Sequence, residues 1–215
     1  TEIKGADSLY EASGVLRESE ENAGALYGTK ATVYSASGST LCIQTMLLLT
    51  TWPGDTVLCA RNAHSSFYNA LALFRLTPVW LLPESFDDTG VSGAVSPAAV
   101  ERALSEHPEA AAVYITSPDY MGGVSDIAAI AKACQQAGVP LLVDNAHRAH
   151  RRLLPGEGGF SDRHPITLGA SLCCDSAHKT LPVLTGGAYL HSRMDFSREQ
   201  IMEAMSMVAT TSPSY

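Results

Sequence analysis

The sequence predicts an α/β protein, a three-layer αβα sandwich around a seven-stranded, mostly parallel sheet with one antiparallel strand. Three observations carry this. Short apolar runs alternate with longer segments of helical periodicity. The runs are continuously apolar, as strands covered on both faces are. The sixth and seventh runs have no evident helix between them, so that pair breaks the parallel pattern.

The elements follow in order. Residues 7–27 set Leu9, Val15, Leu16, Ala23 and Leu26 among charges, the pattern of one amphipathic helix or two. A strand over 31–35 leads into Gly38-Ser39-Thr40, which opens an apolar helix to about residue 49. Pro53-Gly54-Asp55 makes a turn before a second strand, 56–60, a helix over 65–74 and a third strand, 78–82. Ser96-Pro97 starts a helix with proline in its first turn, ending near Glu106. A fourth strand covers 111–116. The helix after it is capped by Ser125-Asp126 and ended by Gly138. The fifth strand, 140–143, is closed by Asp144. A Gly- and Pro-containing loop over 155–165 precedes strands at 170–174 and 187–191, and Ser197 caps a last helix to about Val208.

Composition narrows the function. With 22 acidic and 14 basic residues the net charge is −8, which argues against nucleic acid or an anionic membrane as partner. The longest apolar stretch, 41–52, is interrupted by Gln44, Thr45, Thr50 and Thr51 and is shorter than the ~20 residues a bilayer span needs. The amino terminus shows no apolar core of a secretory signal. The 5 cysteines lack a C-x-x-C pair and sit mostly in apolar runs, so they read as reduced thiols of a cytoplasmic protein.

Ligands in such sheets gather at the carboxyl ends of the strands, and that is where the chemically capable residues fall. Lys179 lies at a strand end between hydroxylated and apolar neighbours; it is either a surface lysine or an amine nucleophile tuned by its cleft. Asp144 closes an apolar strand and is either a cap or a carboxylate awaiting a cationic partner. Gly38, Ser39 and Thr40 put free N–H groups and two hydroxyls at a helix start, an ordinary cap or a phosphate cradle. No P-loop or G-x-G-x-x-G is present, which disfavours nucleotide phosphates. His64 is a loop histidine, structural or able to stack on a flat ligand. Asp144, His147 and His150 form a D-x2-H-x2-H run, but its spacing fits no closed zinc motif and Arg148, Arg151 and Arg152 oppose a cation, so no metal is expected. The arginines themselves read as a solvated or subunit-facing patch.

Together these segments resemble the major domain of the Orn/Lys/Arg decarboxylase family, fold-type-I pyridoxal-phosphate enzymes related to aspartate aminotransferase. The pieces are Thr1-Glu2-Ile3, Asp7-Ser8-Leu9-Tyr10, Gly38-Ser39-Thr40, Arg61-Asn62-Ala63-His64-Ser65, Thr116-Ser117-Pro118, Asp144-Asn145-Ala146-His147, the run Ser176-Ala177-His178-Lys179-Thr180-Leu181-Pro182, and Thr211-Ser212-Pro213-Ser214-Tyr215, in the family's order. The most specific is S-x-H-K-T-L-P preceded by D-x-A-H.

The resemblance implies pyridoxal 5'-phosphate as cofactor. Lys179 would carry it as a Schiff base, and Asp144 would pair with its ring nitrogen. Ala146 would pack on one ring face and His64 stack on the other. Ser39, Thr40 and Ser176 would hold the phosphate with the backbone at Gly38. His147 would sit near the phenolic oxygen and His178 near phosphate or substrate. Thr211 and Ser212 would approach the partner subunit's cofactor, which implies a homodimer or higher homo-oligomer. The reaction implied is decarboxylation of a basic amino acid, lysine, arginine or ornithine; other fold-type-I lyases, transferases or oxidases, and a catalytically silent scaffold, are the alternatives. The resemblance divides the chain into an N-terminal helical segment, 1–28, and an incomplete cofactor-binding large domain, 29–215, without the family's smaller C-terminal domain. Three departures stand out. Asn145 replaces a common glutamate, Arg148 a common glycine, and Asp119 a threonine, adding negative charge near the site.

Overall fold

The computed structural model describes residues 7–83, 93–154 and 163–210. Most of the 155–165 loop, together with Thr211 and Ser212, lies outside them. The strands are β1 (Ala31–Ser35), β2 (Thr56–Ala60), β3 (Thr77–Leu81), β4 (Ala112–Thr116), β5 (Leu141–Asp144), β6 (Leu172–Asp175) and β7 (Ala188–Ser192). The helices are α1 (Val15–Tyr27), α2 (Gly38–Thr50), α3 (Ser65–Phe74), α4 (Pro97–Glu106), α5 (Ile127–Ala137), α6 (Ala177–Thr180) and α7 (Arg198–Ser206). They form one seven-stranded sheet in the order β1-β7-β6-β5-β4-β2-β3. All pairings are parallel except those of β7, which runs antiparallel to both β1 and β6.

Alternate residues of the central strands feed two cores. Leu58, Val113, Ile115, Leu141, Val143 and Cys173 face α4 and α5. Val57, Cys59, Tyr114, Leu142, Leu172 and Cys174 face α2, α3 and α7. Both faces are therefore covered, which is why the strand sequences lack polar alternation. All five cysteines are free and buried. No helix among the described residues is long and apolar enough to cross a membrane.

Two differences from the sequence expectation have local causes. The first helix begins only at Val15, because Asp7 gathers the chain ahead of it. Its carboxylate accepts N–H groups from Ser13 at 3.0 Å, Gly14 at 3.0 Å and Leu16 at 2.8 Å, a cap delivered from six to nine residues upstream. Between β6 and β7 lies the one-turn helix α6, which carries Lys179. Elsewhere the caps work as expected. The Ser96 and Asp126 side chains accept from the third residue on, and Ser197 and Gln200 form a reciprocal capping box. A buried pair ties α7 to α1: Arg198 Nε donates to Glu20 Oε2 at 2.5 Å, while its Nη2 reaches the Leu9 carbonyl at 2.9 Å.

Candidate active site

Strand order reverses between β2 and β4: the chain moves outward from β2 to β3, then inward through β4, β5 and β6. The crevice beyond the carboxyl ends at such a switch is where α/β sheets bind ligands. Asp144 ends β5, the strand beside β4, and is 2% exposed. Its Oδ1 accepts the Ala146 N–H at 3.1 Å and the Cys174 thiol at 3.6 Å, and Oδ2 accepts the Tyr114 hydroxyl at 3.3 Å. Phe67 of α3 stacks on Tyr114, with ring centroids 3.8 Å apart, so the packing of a helix sets the acid's neighbour. Burial pushes the Asp144 pKa up; the Ala146 N–H, the Cys174 thiol and the charges of Lys179 and His64 pull against it. No ion pair reaches this carboxylate among the described residues.

Lys179 is exposed on α6, and its Nζ donates to His147 Nε2 at 3.4 Å. Burial and the Lys179 charge both push the His147 pKa down, which favours the neutral imidazole that accepts this bond. His64 is the N-cap of α3, and its Nδ1 accepts the Ser66 N–H at 3.1 Å. Its ring lies near-parallel to Tyr120, 24° apart with centroids at 6.0 Å, and Tyr120 meets His147 edge-on at 5.3 Å. On the other side of Lys179's helix, the Ser176 hydroxyl donates to Ser39 Oγ at 2.8 Å. Ser39 is in the first turn of α2, whose N-cap Ser37 makes no side-chain cap; the Gly38 N–H donates to the Gly186 carbonyl at 2.7 Å, so of the expected cradle it is not free to serve a phosphate.

The expected residues thus separate into groups. Asp144, Lys179, His147 and His64 interact electrostatically, Ser39 and Ser176 touch, and Gly38 and Thr40 flank Ser39 at the start of α2. Ala146 is buried beside Asp144. His178 is turned away: its Nδ1 donates to the Gly187 carbonyl at 3.0 Å. Asp144, His147 and His150 do not form a ligand set; among the described residues the metal-like grouping is His164, Cys173 and Asp175, with donor atoms within 4.8 Å. Burial pushes the Cys173 thiol well above its ordinary pKa, and both Asp175 and His164 already hold hydrogen bonds, so these groups are engaged without an ion. A cavity of about 490 Å³ lined by Gly138, Pro140 and Ser171 opens at the opposite, amino ends of β5 and β6.

Sequence reasoning missed three supports. Asp175, fully buried, accepts from Asn145 Nδ2 at 2.6 Å, His164 Nε2 at 3.0 Å and His191 Nε2 at 3.1 Å. His191 Nδ1 meets the Thr32 hydroxyl at 2.9 Å, and Tyr27 stacks on its ring at 4.1 Å. Asn145, in place of the expected glutamate, thus supplies a donor to a carboxylate where glutamate would add a second acid. Asp119 does not present a loose charge to the site: its carboxylate accepts from Asn62 at 3.0 Å, Met121 N–H at 2.9 Å and Gly123 N–H at 2.7 Å. That turn places Tyr120 beside His64. A Cβ at Gly123 would stand 2.9 Å from Asp119 Oδ2, which accounts for glycine there.

The fold is that of the large domain of fold-type-I pyridoxal-phosphate enzymes. The Escherichia coli constitutive lysine decarboxylase structure superposes with TM-score 0.78 at 24% identity, over 96% of this chain and 30% of that one. The match to the family model "Orn/Lys/Arg decarboxylase, major domain" runs over residues 1–215, and the chain belongs to that family. Protein YaaO of Bacillus subtilis (strain 168) is 36% identical over 100% of this chain and 44% of its own length. The arginine decarboxylase of the same organism is 30% identical over 99% of this chain and 43% of its own length. The chain therefore spans less than half the length of these curated relatives.

Proposed function

We propose that this chain is the cofactor-binding part of a pyridoxal-phosphate-dependent decarboxylase acting on a basic amino acid, lysine, arginine or ornithine. The observation that carries the reading is one amine, Lys179, and one buried acid, Asp144, within electrostatic reach at the carboxyl ends of the strands, with the hydroxyl pair Ser39–Ser176 at the starts of α2 and α6. The residues fit the cofactor. The Thr180 hydroxyl, next to Lys179, is buried without a hydrogen-bond partner, and nothing lies within 4 Å of where a Cβ on Gly38 would stand.

Lys179 would hold the cofactor's aldehyde carbon, Ser39, Ser176 and the α2 N–H groups after Gly38 its phosphate, and Asp144 the proton on its ring nitrogen. When bound, the ring supplies a sink for the electrons left behind as the substrate carboxylate departs. Asp144 is suited to its part because it is dry and held by the Ala146 N–H, so its charge is undiluted by water. His147 accepts a proton-bearing Nζ and so orients Lys179; His64 offers a flat imidazole held by Ser66. Thr211 and Ser212 serve the partner subunit's cofactor in a homodimer, the five buried thiols fit a reducing cytoplasm, and residues 29–215 form the cofactor-binding unit behind the helical segment 1–28.

Carbon dioxide release from arginine, lysine and ornithine, with added cofactor, tests the reading. Release from one of them above the rate given by acidic or apolar amino acids supports it, and equal rates for all overturn it. Ser176→Ala is expected to weaken cofactor binding about tenfold or more, the scale of a lost hydrogen bond to a charged group, read by equilibrium dialysis.

A further inference from the structure

Two polar hydrogens from inside the flanking strands converge on Asp144, and the decarboxylase reading gives neither a task. Tyr114 is the third residue of β4, a strand buried at every position. Cys174 is the third residue of β6, which is buried likewise. Cys174 stands directly opposite Asp144 in the parallel ladder, and Tyr114 stands opposite Leu142, two residues before the acid on the same face. The long tyrosine side chain therefore reaches along the sheet to the carboxylate, while the short cysteine meets it from the next strand.

The hydroxyl donates to Oδ2 at 3.3 Å and the thiol to Oδ1 at 3.6 Å, so each oxygen has a donor from a different neighbouring strand. Tyr114 is itself clamped. It is fully buried, and Phe67 stacks on it 15° from parallel. A buried polar hydrogen costs free energy unless it is bonded, and phenylalanine or alanine at these two positions would fill the apolar core without one. Burial pushes both the phenol and the thiol well above their ordinary pKa, so both keep their protons and remain donors at neutral pH. Donors aimed at a carboxylate favour its charged form and so oppose the burial that acts on Asp144.

We infer that Tyr114 and Cys174 are positioning residues for the proposed reaction: one donor on each oxygen holds the Asp144 carboxylate ionised and in one orientation, and so sets its grip on the cofactor's ring nitrogen. The inference rests on the role given to Asp144 above.

The first test needs no cofactor. The Asp144 carboxyl carbon, identified by its loss in Asp144→Ala, is titrated by carbon-13 NMR in the parent, in Tyr114→Phe and in Cys174→Ala. Deleting a donor makes the carboxylate easier to protonate, so each variant is expected to titrate at higher pH than the parent. Other titratable groups within electrostatic reach are Cys42 from α2, Cys173 from β6, Lys179 from α6, His64 before α3, Tyr120 after β4 and His147 after β5. All the proteins share them, so the displacement between curves isolates the deleted donor. Cofactor affinity at neutral pH, read by equilibrium dialysis, is expected to fall about three- to tenfold in each variant, the scale of one hydrogen bond.

A pair that merely braces the strands would lower the melting temperature and leave the titration in place, which overturns the inference. Unchanged cofactor affinity overturns it too. A displacement in one variant alone overturns the part given to the other residue, and Cys174→Ala carries the test where Tyr114→Phe does not fold. Parent-like cofactor binding by Asp144→Ala overturns the role of Asp144 and the inference with it. Weakened binding by Asp144→Ala, beside titrations of the other two variants that superimpose on the parent's, overturns the inference alone.

Discussion

Lys179→Ala is expected to abolish the cofactor adduct that borohydride fixes on the protein and to lower decarboxylation at least about a thousandfold. The fold should survive. Lys179 is exposed, and its side chain has one hydrogen bond, to His147, so the stability change should stay within about 0.5 kcal/mol. Two measurements decide it: the mass of the Lys179 peptide after borohydride treatment of the cofactor-saturated protein, and the melting temperature of the variant. A variant that still fixes cofactor, or that keeps the parent rate, removes the amine from the mechanism. A loss of activity accompanied by unfolding would mean instead that α6 is a structural element.

The second large effect is on stability. Asp175→Ala is expected to cost about 3–5 kcal/mol, the range for removing one member of a buried charged network, because Asn145, His164 and His191 all lose their acceptor together. For a chain of this size that corresponds to a melting temperature lower by roughly 6–20 °C. The same residue sets an acid limb. Burial pushes the Asp175 carboxyl up, but His164 and His191 overcome it and hold its pKa well below the usual carboxylate range. The unfolded chain therefore takes up a proton near pH ~4 that the folded chain refuses, so this stabilisation is full above that value and is lost as the pH falls further. Burial also lowers the His191 pKa, so a further loss begins below its ordinary value of about 6.5. Denaturant midpoints between pH ~5 and ~2 should fall with acidification in the parent. They should fall less steeply in Asp175→Asn, and an equal slope in both would remove Asp175 as the source.

The sheet was legible because its strands are buried on both faces, which writes them as plain apolar runs. The missing crossover between the sixth and seventh runs located the antiparallel strand. What escaped was α6: a single turn has no amphipathic period to read, yet it carries Lys179. The site was legible where a polar residue closes a strand, as at Asp144. It was not legible where partners come from distant strands and share no pattern. His164 and His191 look like stray core histidines until β6 and β7 bring them to Asp175. Asp119 looked like surplus charge because two of its donors, at Met121 and Gly123, are backbone N–H groups, which leave no mark in the sequence. Tyr120 acquires its place beside His64 only through that turn.

The place of β1 in the sheet bears on biosynthesis. Its ladder is with β7, Ala31 opposite Ser192, so among the described strands β1 must wait for the much later β7 before it has a neighbour. Ser39 follows that strand and meets Ser176 across nearly the whole domain. A nascent chain halted before Ala188 holds Ser39 and Ser176 without the strand that lies between their segments, so their contact can settle only once β7 has emerged.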